Sequence, residues 1–119
     1  MSFSAIESEL NVRATDVAVT DQAITVDLAD GRSISVPTAW YPRLKHATAK
    51  ERVHFEIGPF GIEWPDVEAD FSVRGLLLGR KSGESGASFA YWLRNRKRGR
   101  KVTFEDYLKQ LQTHKRRVD

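Results

Sequence analysis

Apolar residues recur at every second position in three neighbouring stretches of the first half of the chain. These positions are Val17 and Val19, then Ile24, Val26 and Leu28, then Ile34 and Val36. A period of two is typical of strands with one buried face. The turns between the stretches fall at Asp21-Gln22 and at Asp30-Gly31, where glycine accepts the positive φ of a tight hairpin turn. The pattern predicts a three-stranded antiparallel meander.

Short helices are predicted on both sides of this meander. Ile6 and Leu10 are four residues apart and predict an amphipathic helix over residues 4–11. After the third strand, Pro42 suits the first position of a helical turn, because its missing N–H costs nothing there. Thr48 can cap a further turn by accepting a hydrogen bond from the amide of Lys50 or Glu51.

Two further strands and a helix are predicted between residues 53 and 78. Alternation resumes at Val53, Phe55 and Ile57, and residues 61–64 form a short run ended by Pro65. Asp70 or Ser72 can cap a helix whose buried positions are Val73, Leu76 and Leu77. We expect an α+β fold in which the meander and the Trp64 strand share one antiparallel-rich sheet, covered by the short helices.

The chain changes character after residue 79. Residues 80–88 are polar and rich in glycine, as in a linker, and residues 89–119 form a basic helical segment. Gly99 can end a first helix, and Thr103 with Asp106 resembles a capping box that begins a second. Both helices are too short to fold alone, so their apolar faces must be buried against something. The predicted contacts with a partner or a second copy are Phe89, Trp92, Tyr107 and Leu111.

Charge divides the chain in the same place. The total is +3, but residues 1–79 hold 7 Lys and Arg against 12 Asp and Glu, a net charge of −5, while residues 80–119 hold 12 against 4, a net charge of +8. Such an asymmetry predicts an anionic partner, either nucleic acid or an acidic protein surface. The candidate phosphate-binding residues are Arg94, Arg96, Lys97, Arg98, Arg100 and Lys101.

Composition excludes several classes of function. Cysteine is absent, so disulfides, thiolate metal sites and cysteine nucleophiles are excluded. The sequence has no apolar run of membrane-spanning length and no signal-peptide pattern, and we expect a cytoplasmic protein. His46 and His54 lack metal-ligand spacing, and no glycine-rich phosphate loop follows a strand.

Two groups of residues admit both a structural and a chemical interpretation. The acidic residues Glu63, Asp66, Glu68 and Asp70 suit a divalent-cation site or an acid/base pair, but turn and cap roles are the favoured interpretation. Trp40, Tyr41 and Trp64 suit a ligand groove or the core, and the core is favoured in so small a domain. We therefore predict no enzyme activity, no metal and no cofactor.

Residues 18–78 resemble a known family. The matching residues are Asp30-Gly31-Arg32, Val36-Pro37, Tyr41-Pro42-Arg43-Leu44, Ala47-Thr48 with Arg52, Gly61-Ile62-Glu63-Trp64-Pro65, and Asp70-Phe71-Ser72-Val73 with Leu76-Leu77. In order and spacing they are similar to domain of unknown function 2442. The resemblance implies a small bacterial α+β domain without established activity, often encoded beside another small protein in a pair similar to toxin and antitoxin genes. Glu63, where the family often has an imidazole, and Ala69, which interrupts its acidic run, depart from the pattern and count against a metal or catalytic role.

Two functions remain open on this evidence. The first is a binding or regulatory protein, antitoxin-like by family resemblance, whose basic segment contacts an acidic protein partner. The second is a nucleic-acid-associated protein that neutralises phosphates through the same segment. Alternatively, the basic residues of this segment only increase the solubility of the protein.

Overall fold

The computed structural model describes residues 12–118, with side chains for residues 12–113. The predicted helix over residues 4–11 lies outside the described residues. The chain divides into two compact units, Met1–Ser82 and Gly83–Asp119. We call them the body and the C-terminal unit, and each is described by itself.

The predicted meander is present at the start of the body. Strands β1 (Ala14–Val19), β2 (Ala23–Leu28) and β3 (Ser33–Pro37) form an antiparallel sheet in the order β1-β2-β3. One face is buried, because alternate residues such as Ile24 and Val26 are inaccessible to solvent. Gly31 has a φ of 92° in the second turn, as predicted, and the carboxylate of Asp30 accepts hydrogen bonds from the Arg32 amide and side chain there.

Three very short helices connect and cover the sheets. After a 3₁₀ turn at Thr38–Trp40, helix α1 (Pro42–Lys45) begins with Pro42 at its first position, as predicted. Helix α2 (Ala49–Arg52) begins at a complete capping box in which Thr48 and Glu51 bond each other's backbone amides, at 3.1 and 2.8 Å. Helix α3 (Val73–Leu77) is capped by Ser72, whose hydroxyl accepts a bond from the Gly75 amide, and not by Asp70.

The single sheet expected from the sequence is wrong, because the body contains two sheets. Strands β4 (Glu56–Ile57), β5 (Gly61–Trp64) and β6 (Ala69–Ser72) form a separate antiparallel sheet in the order β4-β5-β6, which we call sheet B. The Trp64 strand is its centre and pairs with neither β2 nor β3. Both sheets are small and antiparallel, so the α+β fold class is confirmed.

Sheet B also corrects two local predictions. Residues 69–72 were expected to be loop and helix cap, whereas they form the third strand of sheet B. Val53 was expected in the fourth strand, whereas it ends α2 and is 74% exposed. The fourth strand is therefore only Glu56–Ile57, because the turn that ends α2 uses Val53 and His54 before the chain becomes extended.

The core of the body lies where both sheets and the short helices bury their apolar side chains. Trp64, Ile24 and Leu44 are its largest fully buried side chains. The indole N–H of Trp64 donates to the carbonyl of Arg52 at 3.0 Å, so the one polar atom of this side chain is satisfied inside the core.

The C-terminal unit contains two helices. Helix α4 spans Gly86–Lys97 and helix α5 spans Phe104–Val118. The predicted linker, residues 80–88, overlaps α4 because Ser85 caps that helix by accepting a hydrogen bond from the Ser88 amide. Neither these helices nor any other in the described part of the chain has the length and apolarity needed to cross a bilayer.

Candidate functional site

The connection between α4 and α5 holds three of the six basic residues singled out from the sequence, and the other three lie in the last turns of α4. The first end of this connection is fixed by backbone hydrogen bonds. Helix α4 ends in a Schellman motif, because the Gly99 amide donates to the carbonyl of Arg96 and the Arg100 amide donates to the carbonyl of Asn95, at 3.0 and 2.8 Å. Gly99 has a φ of 75°, which a residue with a Cβ adopts only at a cost. The predicted stop at Gly99 is confirmed.

The second end of the connection is fixed by side chains. The hydroxyl of Thr103 accepts a hydrogen bond from the Asp106 amide, at 3.1 Å, and the carboxylate of Asp106 accepts one from the Thr103 amide, at 2.9 Å. These bonds hold the pKa of Asp106 below its usual value. The capping box predicted from the sequence is therefore present, with aspartate in the position of the usual glutamate. The four residues 98–101 are held between two terminated helices, and we call them the basic turn.

The cations in and beside the basic turn are available to an anion. Arg94, Lys97, Arg98, Arg100 and Lys101 are exposed, and among the described residues no carboxylate forms an ion pair with any of these five. Arg96 differs from them. It is half-buried, and its guanidinium lies 5.2 Å from the centre of the Trp92 ring, a cation–π distance. The structure thus divides the six predicted phosphate ligands into five exposed cations and one stacked arginine.

The four residues predicted to contact a partner differ in their exposure. Trp92 is buried, with the ring of Phe89 5.9 Å away, and Tyr107 is half-buried 5.5 Å from Tyr91, where the two helices meet. Leu111 alone among the four has a largely exposed side chain. Three of these side chains therefore pack inside the C-terminal unit and shape its surface indirectly.

An apolar stripe on α5 forms the outer face of this unit. Phe104, Leu108 and Leu111 are 49%, 44% and 42% exposed, and they recur at the i, i+4, i+7 spacing that places them on one side of a helix. We call these three residues the α5 stripe. Of these three residues the sequence analysis names only Leu111 as a contact, because the exposure of Phe104 and Leu108 depends on packing that helical periodicity does not report.

The four acidic residues singled out from the sequence lie in the β5–β6 hairpin and not in a loop before a helix. Glu63 and Asp70 lie directly opposite each other in the register of β5 and β6. Asp66, in the hairpin turn, lies 2.7 Å from Nδ1 of His54, and Glu68 in the same turn adopts a φ of 49°. The predicted turn role therefore holds for Asp66 and Glu68, whereas Glu63 and Asp70 are strand residues.

Among the described residues, His54 and Asp66 form a pair with catalytic character that the sequence did not predict. Twelve residues separate its members, and the hairpin turn brings them together. A carboxylate that orients an imidazole is one part of many hydrolytic sites, but such sites also need a nucleophile and donors for an oxyanion. The side chains of His54 and Asp66 bond each other. No group of three potential metal ligands occurs among the described residues.

The remaining candidate side chains stabilise the body. Trp64 and Tyr41 are core residues, as predicted, and the Tyr41 hydroxyl donates to the carbonyl of Arg80 at 2.7 Å. Burial raises the pKa of Tyr41 above its usual value. Arg43, also buried, donates to the carbonyl of Val67, while Arg52 donates to two carbonyls and to the carboxylate of Asp21.

Comparisons with solved structures identify the fold of part of this chain. Two solved structures share the fold: a protein of unknown function from Rhodospirillum rubrum and an uncharacterized protein from Chromobacterium violaceum. The first has 23% identity and a TM-score of 0.52 over 61% of this chain and 93% of its own. The second has 23% identity and a TM-score of 0.53 over 75% and 89%.

The family itself is established by sequence. No curated protein matches the chain. The family described as "Protein of unknown function (DUF2442)" matches residues 14–82, which includes every strand of both sheets and more than half of the chain. The chain therefore belongs to the DUF2442 family.

Proposed function

We propose that this protein is a binding and regulatory protein that docks on a small acidic protein partner through its C-terminal unit. The α5 stripe carries the proposal, because it exposes three large apolar side chains on one face of a helix whose start is fixed by a capping box. Five exposed cations follow one another closely just before this helix. A partner with an apolar groove and an acidic rim complements both features.

The family resemblance supports a more specific form of this proposal. It implies a gene pair similar to toxin and antitoxin genes, and in such a pair one small protein regulates the other by binding it. The charge of the C-terminal third, +8 over residues 80–119, supports an acidic surface on the partner. We therefore propose an antitoxin-like role in which the α5 stripe supplies affinity and the cations supply selectivity.

The experiment isolates the partner and then measures binding with purified proteins. Tagged full-length protein is used to capture the partner from the native host, and the identified partner is titrated calorimetrically. Replacing Leu108 and Leu111 by Ser removes exposed apolar area that the partner would cover, so we expect roughly 30- to 100-fold weaker binding.

The matched control is Gln110→Ser, an exposed substitution on another face of the same helix. It should bind the partner as the unmodified protein does, and circular dichroism should show that both variants keep their helices. A partner that binds the Leu108→Ser, Leu111→Ser variant with unchanged affinity would exclude the α5 stripe as the interface.

A second candidate function is nucleic-acid binding, favoured by the five cations that lack an ion pair among the described residues. If they contact phosphates, duplex affinity should depend weakly on base sequence and fall steeply with salt, with a log–log slope of about −0.9 for each phosphate neutralised. The variant Lys97→Ala, Arg98→Ala, Arg100→Ala should flatten this slope. Arg96 is left in place because it stacks on Trp92.

The two candidates differ in one measurable result. The protein-partner proposal expects no duplex retardation near physiological salt, together with partner binding that depends on the α5 stripe. Duplex binding at physiological salt that the triple alanine variant abolishes, without any protein captured through the stripe, would replace the first proposal by the second.

A further inference from the structure

Sheet B carries a groove on its solvent side that no known property of the family explains. The tight turn between β4 and β5 is closed by a 2.8 Å hydrogen bond from the Gly58 amide to the Gly61 carbonyl, and it raises Phe60 out of the protein with 82% of its surface exposed. Between this turn and the strands lies a groove of about 460 Å³. Phe60 therefore places an exposed aromatic ring in the lining of this groove.

The strands beside the groove supply three carboxylates in a row. Glu56 lies directly opposite Glu63, and Glu63 lies directly opposite Asp70, so one carboxylate comes from each strand of sheet B. All three are exposed and line the groove. No basic side chain among the described residues forms an ion pair with them. Like charges that face each other across strands destabilise a sheet, and cations bound in the groove would relieve that repulsion.

We propose that this groove binds the basic turn of a second copy of the chain. Charge complementarity selects this occupant, because the body carries a net charge of −5 over residues 1–79 and the C-terminal third +8. The cations Arg98, Arg100 and Lys101 are exposed and have no ion pair among the described residues. A guanidinium bonds a carboxylate in a planar, two-pronged geometry, and it also stacks on an aromatic face such as that of Phe60.

The dimensions of the two surfaces agree. Adjacent strands lie about 4.8 Å apart, so three carboxylates on three strands extend over about 10 Å. The three cations lie within four residues, each at the end of a long side chain, so their charges can be spread over a comparable distance. The Schellman motif and the capping box hold the ends of the basic turn, so little freedom is lost when it binds.

Each chain has one groove and one basic turn, so two copies satisfy each other reciprocally. In a dimer that exchanges identical contacts, both grooves and both basic turns are occupied. An open head-to-tail oligomer always leaves one groove and one basic turn unoccupied. We therefore infer a salt-sensitive dimer with two equivalent groove–turn contacts. The inference shares the cations of the basic turn with the proposed function but makes no use of the α5 stripe, so a variant of the stripe distinguishes the two.

The test measures the mass of the full chain by light scattering and sedimentation over a range of concentrations and salt. The unmodified protein should be a dimer at about 50 mM salt and a monomer at about 1 M, where charges are screened beyond about 3 Å. The groove variant Glu56→Lys, Glu63→Lys and the turn variant Arg98→Glu, Arg100→Glu should each be monomeric at low salt. Phe60→Ser should raise the dimer dissociation constant.

Mixing the two charge-reversed variants gives the decisive result. The groove of each then meets a turn of opposite charge, so the equimolar mixture should form a heterodimer although neither variant associates alone. The groove variant keeps two like charges opposite each other, as in the unmodified sheet, so its folding is expected to be unchanged, and circular dichroism verifies this for both variants.

The control variant Leu108→Ser, Leu111→Ser should dimerise normally, which separates a failure of this inference from a failure of the proposed function. The inference is overturned if the unmodified protein is monomeric at low salt. It is also overturned if either charge-reversed variant still dimerises, or if the mixture of the two remains monomeric.

Discussion

At the scale of single residues, Trp64 shows how a sequence motif becomes a core. Its side chain is fully buried, with the rings of Phe71 and Phe55 at 5.3 and 6.2 Å. We predict that Trp64→Ala lowers the free energy of unfolding by about 3 to 5 kcal/mol, the usual cost of truncating a large buried aromatic residue. Urea denaturation measures the change.

Trp40 provides the control for this prediction. It is the same residue type in the same unit, but it is only half-buried, with Lys81 5.2 Å from its ring centre. Trp40→Ala should therefore cost clearly less than Trp64→Ala. Equal losses would contradict the assignment of Trp64 as the centre of the core.

Gly61 belongs to the same motif, and the structure explains why this position is glycine. A Cβ built at this position would lie 2.2 Å from the carbonyl oxygen of Phe71 on the neighbouring strand, so any side chain would force β5 and β6 apart. The motif Gly-Ile-x-Trp-Pro thus combines a close backbone approach at Gly61, buried side chains at Ile62 and Trp64, and a strand end at Pro65.

Local roles of residues could be predicted from the sequence, and distant pairings could not. The caps at Thr48, Ser72 and Thr103 and the turn at Gly31 depend on residues within four positions, so their sequence signals are sufficient. The pair of His54 and Asp66 depends on how a hairpin turn folds back, and neither residue type nor spacing reports that geometry.

At the scale of elements, the start of α5 should respond to pH. The Thr103 amide and hydroxyl lower the pKa of Asp106, so its ionised form stabilises the folded helix start. For a lowered pKa, this stabilisation is complete above the ordinary aspartate pKa and is lost as pH falls through the folded value. We predict that helicity falls with acidification below about pH 4, measured by circular dichroism.

Two substitutions test this assignment. Asp106→Asn should remove the part of the acid response that comes from α5. Asp30→Asn is the control, because Asp30 also has a lowered pKa, caused mainly by the Arg32 amide, but it lies in a turn between strands. An acid response of helicity that Asp106→Asn leaves unchanged would exclude the capping box as its source.

Element prediction succeeded where apolar residues alternated clearly or a proline marked the strand end, as in the short β5, and failed where polar residues interrupted the pattern. Strands β1, β2 and β3 each carry a clear period of two, and all three were predicted. Strand β6 has four residues, of which Asp70 and Ser72 are polar, and together with the preceding Glu68 they make the segment resemble a loop. Alternation also continued into Val53 by coincidence. The division into two sheets depends on strand pairing over long distances, which periodicity does not encode.

At the scale of the whole molecule, the distribution of ligands predicts no metal dependence. The described residues contain no cluster of three potential metal ligands, and His54 with Asp66 supplies only two. Because a bound ion stabilises the folded state by mass action, we expect the melting temperature to be unchanged by zinc, magnesium or calcium at low millimolar concentrations.

A saturable rise in melting temperature at micromolar metal would contradict this prediction. The variants Asp66→Ala and Asp70→Ala would then locate the site, because they remove one carboxylate in the hairpin turn and one in strand β6. Loss of the rise in either variant would assign a binding role to the acidic hairpin.

The general class of the molecule was predictable from the sequence, but its candidate surfaces were only partly so. The family match and the α+β fold follow the expectation from residues 18–78 and from their hydrophobic pattern. The basic segment was visible as a charge run. Which of its members are exposed depends on packing inside the C-terminal unit, where Arg96 and Trp92 stack on each other.

The two fixed ends of the basic turn also have a kinetic consequence. A cluster of cations held in one shape maintains a steady local field, which accelerates encounter with an anionic surface and does little for the lifetime of the complex. Lifetime depends instead on apolar contacts such as those offered by the α5 stripe. For an acidic partner of the kind proposed, ionic conditions should therefore control how often the two proteins meet, and the fit of apolar surfaces should control how long they remain together.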